Sequence, residues 1–344
     1  MSSISSRRAV LSALALVVGA ALTGCGSSSS GSAAGSSSSP AMAASSSSAG
    51  AMSSPTGTTK ITVGILPILD VAPLYLGVQK GLFTKHGLDV TIKPAQGGAA
   101  IVPAILAGEQ QFGFSNVVSL LTAREKGIPL ISVAAGSSST GIPDKDINAI
   151  LVGKGSTLQT AKDLEGKKVA INALNNIGDT TISAAVKKAG GDPKKVKYVE
   201  VPFPDMPAQL AAGTVDAVWE SEPFRTQILG TGGRILFDNL TETYPKLQIA
   251  QWFTSEKLRK ESPAVVAQFI AAMNESLEYA TAHGDEARAT LGTYTKIPAA
   301  VAAKVVLPSW STTLDKDSTK AIGEAAQLRG TLTKAPDVSG LLGA

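Results

Sequence analysis

From residue 60 to the end of the chain, short apolar runs of strand length alternate with segments of helix length, and this alternation is the strongest constraint on the fold. Ile61-Thr62-Val63-Gly64-Ile65 reads as a buried strand, residues 73–80 as a helix stopped at Gly81, and residues 88–92 as a second strand. Gly97 and Gly98 open a helix that runs through Leu106, with Gly108 just past its end, and Phe112-Gly113-Phe114 is again strand-like. Strands and helices at this spacing imply α/β architecture, with parallel sheets covered on both faces. The 285 residues from 60 to 344 are past the size at which one core commonly divides. Ligands on such sheets bind where the C-terminal ends of strands meet loops.

The first 59 residues have a different chemistry. Arg7 and Arg8 give a positive start, residues 9–21 are apolar, and Thr23-Gly24 supply small residues before Cys25, the chain's single cysteine. The apolar run falls short of the roughly 20 residues a spanning helix needs. Leu22-Thr23-Gly24-Cys25 resembles the lipobox of bacterial lipoproteins. That resemblance implies a signal peptide over residues 1–24, cleavage before Cys25, and a lipid on Cys25 that holds the protein to the outer side of the cytoplasmic membrane. An uncleaved anchor is the alternative, and it exports the rest of the chain equally. Residues 25–59 are rich in Ser, Gly and Ala and cannot bury enough apolar surface to fold. As a flexible tether they reach roughly 30 Å. Without Arg7 and Arg8 the formal charge falls from +4 to +2. No basic cluster with interleaved aromatics occurs, so nucleic acid is not an expected partner.

Several motifs then occur in a family's order: Pro73-Leu74-Tyr75, Gly81-Leu82-Phe83, His86-Gly87-Leu88-Asp89-Val90 and Leu106-Ala107-Gly108-Glu109. They continue in Asp163-Leu164-Glu165-Gly166-Lys167-Lys168-Val169-Ala170, in Ala211-Ala212-Gly213-Thr214-Val215-Asp216-Ala217-Val218-Trp219, and in Glu222-Pro223-Phe224. From about residue 61 to 236 this pattern resembles the nitrate/sulfonate/taurine-type solute-binding proteins of ABC transporters, whose fold is shared with the thiamine-pyrimidine synthases. The resemblance implies a periplasmic-binding-protein-like fold of two α/β lobes joined by a two-crossing hinge. Residues 60–150 and 238–344 form lobe one, and residues 151–237 form lobe two. Residues 149–152 and 234–237 are apolar strands placed to make the crossings. A helix over residues 263–283 carries an apolar stripe at Val266, Phe269, Ile270, Met273 and Leu277, suited to packing on lobe one.

Loops at strand ends supply the candidate ligand-binding residues. Lobe one offers Asp70, Gln96, Gly97, Gly98, Ser115 and Asn116; lobe two offers Asn172, Thr180, Thr181, Asp205, Trp219 and Glu222. The glycine pair can present backbone N–H groups to an anion, or it can simply supply a tight turn. Asp179 fits a helix N-cap better than a ligand contact, leaving Thr180 and Thr181 to offer hydroxyls. Residues 202–207 are too rich in proline for a strand interior and read as a stiff loop entering a helix near Ala208. Trp219 can stack on a flat solute or belong to the core. Asp70, Asp179, Asp205, Glu220 and Glu222 make these loops acidic, so the expected solute is a small polar nutrient of either the sulfonate/nitrate/taurine type or the amine/pyrimidine type, the carboxylates suiting the second at least as well.

Catalysis has little to stand on in the sequence. The synthases of this fold use a cysteine-rich motif, whereas the single cysteine here lies in the leader. His86 and His283 lack metal-ligand spacing, and no Gly-x-Ser-x-Gly elbow occurs. We therefore expect a binding protein with no cofactor, no metal and no catalytic residue. Its expected partners are a small-molecule solute, an ABC permease with its ATPase, and the membrane through the lipid on Cys25. The chain is expected to act as a monomer. A sensory lipoprotein that presents its solute to a receptor is the alternative within the binding class.

Overall fold

Burial along β1 (Thr59–Ile65) rises from two exposed residues to a fully covered Val63-Gly64-Ile65, as expected for a strand with elements on both faces. The structure, a computed structural model, describes residues 57–343. The signal-peptide segment, Cys25 and the tether up to residue 56 lie outside the described residues. The tether's last expected residue, Thr59, instead begins β1, where it pairs with Leu88.

Among the described residues, twelve strands follow in chain order: β1, β2 (Leu88–Pro94), β3 (Phe112–Asn116), β4 (Leu130–Ala135), β5 (Ser137–Ser138) and β6 (Asn148–Val152), then β7 (Lys168–Ile171), β8 (Lys197–Glu200), β9 (Ala217–Ser221), β10 (Arg234–Phe237), β11 (Ala250–Ser255) and β12 (Ser309–Trp310). They form two five-stranded sheets, ordered β2-β1-β3-β11-β4 and β10-β6-β9-β7-β8, and a small pair β12-β5. The chain passes between the large sheets twice, once before β6 and once after β10. Because β6 begins at Asn148, residues 148–150 sit in the second sheet, paired with β9, rather than at the end of the first.

Direction in the sheets departs from the sequence expectation. The pairs β1–β2, β1–β3, β7–β8 and β7–β9 are parallel. In contrast, β11 runs antiparallel to both β3 and β4, and β6 runs antiparallel to both β9 and β10. The sheets are mixed because the crossing chain delivers β6 and β11 from the other layer, so no local crossover helix sets their direction. β6, β9 and β11 are buried along their whole length, as two-face coverage requires.

The helix Pro263–Ala282 turns Val266, Phe269, Met273 and Leu277 inward, while Ile270 is half-buried. Phe269 stacks on Phe112 with centroids 3.8 Å apart and meets Trp252 edge-on at 6.1 Å. Burying each such side chain contributes about 1.5–3 kcal/mol, which ties this late helix to the first sheet. No helix among the described residues is long and apolar enough to cross a membrane.

Candidate functional site

The parallel strands of the two sheets end toward one another, and a cavity lies between those ends. Leu66, Ile68 and Asp70 follow β1, Phe114 and Asn116 end β3, Asn172 follows β7, and Trp219 and Ser221 end β9. Gly98, Asn148, Asn176, Ile177, Phe203, Ile249 and Ala250 complete the wall. The space free of atoms is about 370 Å³, counted out to the open mouth.

Strand alternation selects which residues reach the cavity. Phe114 and Asn116 share one face of β3, so Ser115 between them points away and is buried under Gly98. A Cβ on Gly98 would collide with the Ser115 hydroxyl, which explains the glycine by close packing. Trp219 and Ser221 likewise share a face of β9, with Glu220 on the other. Trp219 rests on the first turn of the helix Ile177–Lys188: a Cβ at Gly178 would lie 2.6 Å from its ring. Phe203 also packs on that ring, tilted, at 5.6 Å between centroids.

Four of the lining residues hold a buried polar atom without a protein partner: Oδ1 of Asn148, Oδ1 of Asn172, Nδ2 of Asn176 and Nε1 of Trp219. That makes two acceptors and two donors on walls otherwise built from Phe114, Phe203, Trp219 and aliphatic groups. Buried polar groups are nearly always satisfied, so four on the walls of one cavity mark a candidate recognition surface. Asn116 is more committed. Its Oδ1 accepts from Ser119 N–H at 3.0 Å and its Nδ2 donates to Ser119 Oγ at 3.0 Å, capping the helix Val117–Glu125.

Asp70 is the one carboxylate in the wall and is 3 % exposed. Ser137 donates to one of its oxygens, and Ser221 donates to the other at 3.4 Å from across the cavity. Burial pushes its pKa up to about 6, with the serine hydrogen bonds opposing the shift and the Asp146 charge adding to it. Its backbone carbonyl accepts from Trp310 Nε1 at 3.3 Å, which fixes the loop.

The other expected carboxylates lie outside the cavity wall. Glu222 is fully buried and accepts from Arg225 at 3.2 Å, Thr226 Oγ1 at 2.8 Å and Val306 N–H at 3.2 Å. Its carbonyl also accepts from Leu69 N–H at 3.0 Å, so it joins the two sheet layers. Glu220 is buried behind β9, and desolvation holds its pKa well above the usual carboxylate range. Asp205 is exposed. The helix it precedes begins at Met206, two residues before the expected Ala208, because Pro207 is accepted in a first turn.

Asp179 is not an N-cap. Asn176 caps Ile177–Lys188, and Asp179 is the third helical residue, accepting from Asn175 and Asn176 N–H at 2.8 and 2.9 Å. It also pairs with Arg329 at 2.8 Å. Burial still leaves its pKa raised, with Arg329 pulling against that. With the helix starting three residues early, Thr180 and Thr181 fall inside it and are buried away from the cavity. Thr181 donates to the Ile177 carbonyl at 2.7 Å. Gln96 is exposed and Gly97 buried, and neither lines the cavity.

Of the twelve expected ligand residues, the structure brings together Asp70, Gly98, Asn116, Asn172 and Trp219 at one cavity. Gln96, Gly97, Ser115, Thr180, Thr181, Asp205 and Glu222 lie outside it. Sequence reasoning places Asn176 and Ser221 within candidate loops without choosing them, and it misses Asn148. The period of two through Trp219 points to Ser221, and the helix-start signature Asn176-x-x-Asp179 identifies the cap.

Two α/β layers around a cleft at their strand ends define the periplasmic-binding-protein fold. The chain belongs to the NMT1/THI5-like family, whose model matches residues 69–287. It is similar to the formylaminopyrimidine-binding protein of Halalkalibacterium halodurans, with 24 % identity over 62 % of this chain and 63 % of that protein. It is also similar to the 4-amino-5-hydroxymethyl-2-methylpyrimidine phosphate synthase THI13 of Saccharomyces cerevisiae, with 23 % identity over 61 % of this chain and 63 % of the enzyme. The chain thus spans less than two thirds of the length of these curated relatives.

Among solved structures, the ligand-binding component of an ABC-type import system from Staphylococcus aureus superposes with TM-score 0.72 and 16 % identity, covering 83 % of this chain and 96 % of the other. The periplasmic aliphatic sulphonate-binding protein SsuA of Escherichia coli gives 0.67 and 18 %, covering 82 % and 91 %. These likenesses establish the fold.

Proposed function

We propose that the protein is the solute-binding component of an ABC importer, held outside the cytoplasmic membrane by a lipid on Cys25, and that it captures a small flat nitrogen-bearing solute of the aminopyrimidine kind. The observation that carries this reading is the set of four unpartnered polar atoms on Asn148, Asn172, Asn176 and Trp219 around an aromatic-walled cavity. A ring with exocyclic amino groups presents donors and acceptors in its own plane and π faces above and below it. The carboxamides match the edges, and Trp219, Phe203 and Phe114 match the faces.

A sulfonate, taurine or nitrate is matched less well. Among the described residues, the cavity wall contains no lysine, arginine or histidine, and its one ionisable group is Asp70. The similarity to a formylaminopyrimidine-binding protein supports the same ligand class. Similarity to a pyrimidine phosphate synthase raises catalysis as an alternative, yet the wall holds no histidine, lysine or cysteine to act as base or nucleophile.

Thermal-shift titration with aminopyrimidines, amines, sulfonates and nitrate tests the reading. A solute at 100 times its Kd adds about 2.7 kcal/mol of apparent stability. A shift with aminopyrimidines, recovered unchanged after incubation, is expected. Turnover of the solute, or stabilisation by sulfonates alone, would refute the assignment.

A further inference from the structure

The wall of the cavity contains one ionisable side chain, and the packing around it holds that group in place. Asp70 sits on the loop after β1, enclosed by Ser137 of β5, Ser221 of β9 and Trp310 of β12. Each of these neighbours donates a hydrogen bond, two to the carboxylate and one to the backbone, so the acid is oriented but not neutralised. No basic group of the described residues forms an ion pair with it. The guanidinium groups that pair with buried carboxylates are engaged elsewhere: Arg225 with Glu222 and Arg329 with Asp179. A carboxylate held in a largely apolar enclosure interacts with charge far more strongly than one in water.

We propose that Asp70 is the specificity-determining residue of the cavity, selecting solutes that carry a protonated planar nitrogen group, such as an amidinium or aminopyrimidinium, over neutral isosteres and anions. This rests on the reading of the cavity as a solute site. The cation places its N–H groups on the carboxylate while its ring lies between Trp219 and the carboxamides of Asn148, Asn172 and Asn176. An anion meets the like charge of Asp70 with no cation to offset it. The fold of a protein named as binding aliphatic sulphonates is thereby turned to the opposite ligand charge.

Capture is also linked to pH. The titratable groups facing Asp70 are Asp146, on the segment before β6, and Tyr294, on the helix Gly284–Tyr294, whose hydroxyl donates to the Ile68 carbonyl at 3.2 Å. Neither is cationic. With the carboxyl of the free protein titrating at about 6, a permanently charged ligand binds less tightly as pH falls below that value.

Three probes of nearly the same shape separate the outcomes: benzamidine, a cation; benzamide, its neutral isostere; and benzenesulfonate, an anion. Each is titrated into the full protein by calorimetry at pH 7.5, and benzamidine also at about pH 5. Expected are one site for benzamidine at least tenfold tighter than benzamide, no binding of benzenesulfonate, and weaker benzamidine binding at the lower pH. In Asp70→Asn the preference for benzamidine over benzamide falls below about threefold while benzamide binding persists, a readout that loss of folding would not give. Equal or better binding of benzamide or benzenesulfonate to the unaltered protein overturns charge selection and leaves the solute-binding reading standing. Absence of binding by all three also overturns it. The solute-binding reading fails separately, if the protein carries no small molecule and is stabilised by none.

Discussion

Replacing Asp70 by asparagine should make the unliganded protein more stable while it weakens capture. Burial lifts the carboxyl from 3.8 to about 6, so the folded state binds a proton more readily than the unfolded chain does. The sign follows from that order: this contribution to stability is fully present below about pH 4 and is lost as pH rises through about 6. Roughly two pK units at about 1.4 kcal/mol each make ionised Asp70 cost about 3 kcal/mol at pH 7. The asparagine side chain of Asp70→Asn keeps the volume and an acceptor for Ser137 or Ser221, and it removes the buried charge. The variant should therefore gain up to about 3 kcal/mol at pH 7, equivalent to a Tm rise of about 5 °C for a domain of this size. The gain should shrink to about 0.5 kcal/mol by pH 4. Urea unfolding of both proteins between pH 4 and 7.5 measures it, and the other buried acids cancel in the difference. A variant less stable at pH 7, or a difference that does not change with pH, would refute the reasoning.

Arg329→Leu removes the partner of buried Asp179 and should cost about 3 kcal/mol in urea unfolding, because a charge is left unpaired; a loss below about 0.5 kcal/mol would show that the pair is merely superficial. Gly178→Ala places a methyl 2.6 Å from the Trp219 ring and should cost about 1–3 kcal/mol and at least tenfold in solute affinity, read by calorimetry. Glu222→Gln should destabilise by about 2 kcal/mol with solute affinity unchanged, since its carboxylate serves Arg225, Thr226 and Val306 and not the cavity. Cys25→Ser should release the protein from membranes, as judged by fractionation, without altering solute affinity; membrane retention of the variant would exclude the lipid anchor.

Much of the local structure is legible in the sequence because it depends on neighbours in the chain. Residues 61–65 alternate and then close into an apolar run, and β1 occupies them; Gly98 opens a helix, and the 263–283 stripe faces the first sheet. Strand direction is not legible, because β11 enters between β3 and β4 only after the chain has built the whole second sheet. The same limit applies to the site. Asn116, Asn172 and Trp219 stand where strands end, and that rule finds them. Glu222 lies next to the same strand end, but its partner Val306 comes from the distant C-terminal segment and draws it out of the cavity wall. Thr180 and Thr181 are misplaced by three residues of helix start, enough to turn both hydroxyls inward.

The most direct test of solute capture between the two layers is native mass spectrometry of the protein purified gently from its own cells. The account predicts one small nitrogen-containing molecule bound per chain, present on the unaltered protein and absent from Trp219→Ala. A protein that carries no adduct and gains no stability from any nitrogenous solute offered would contradict it, as would an adduct that survives unchanged in Trp219→Ala.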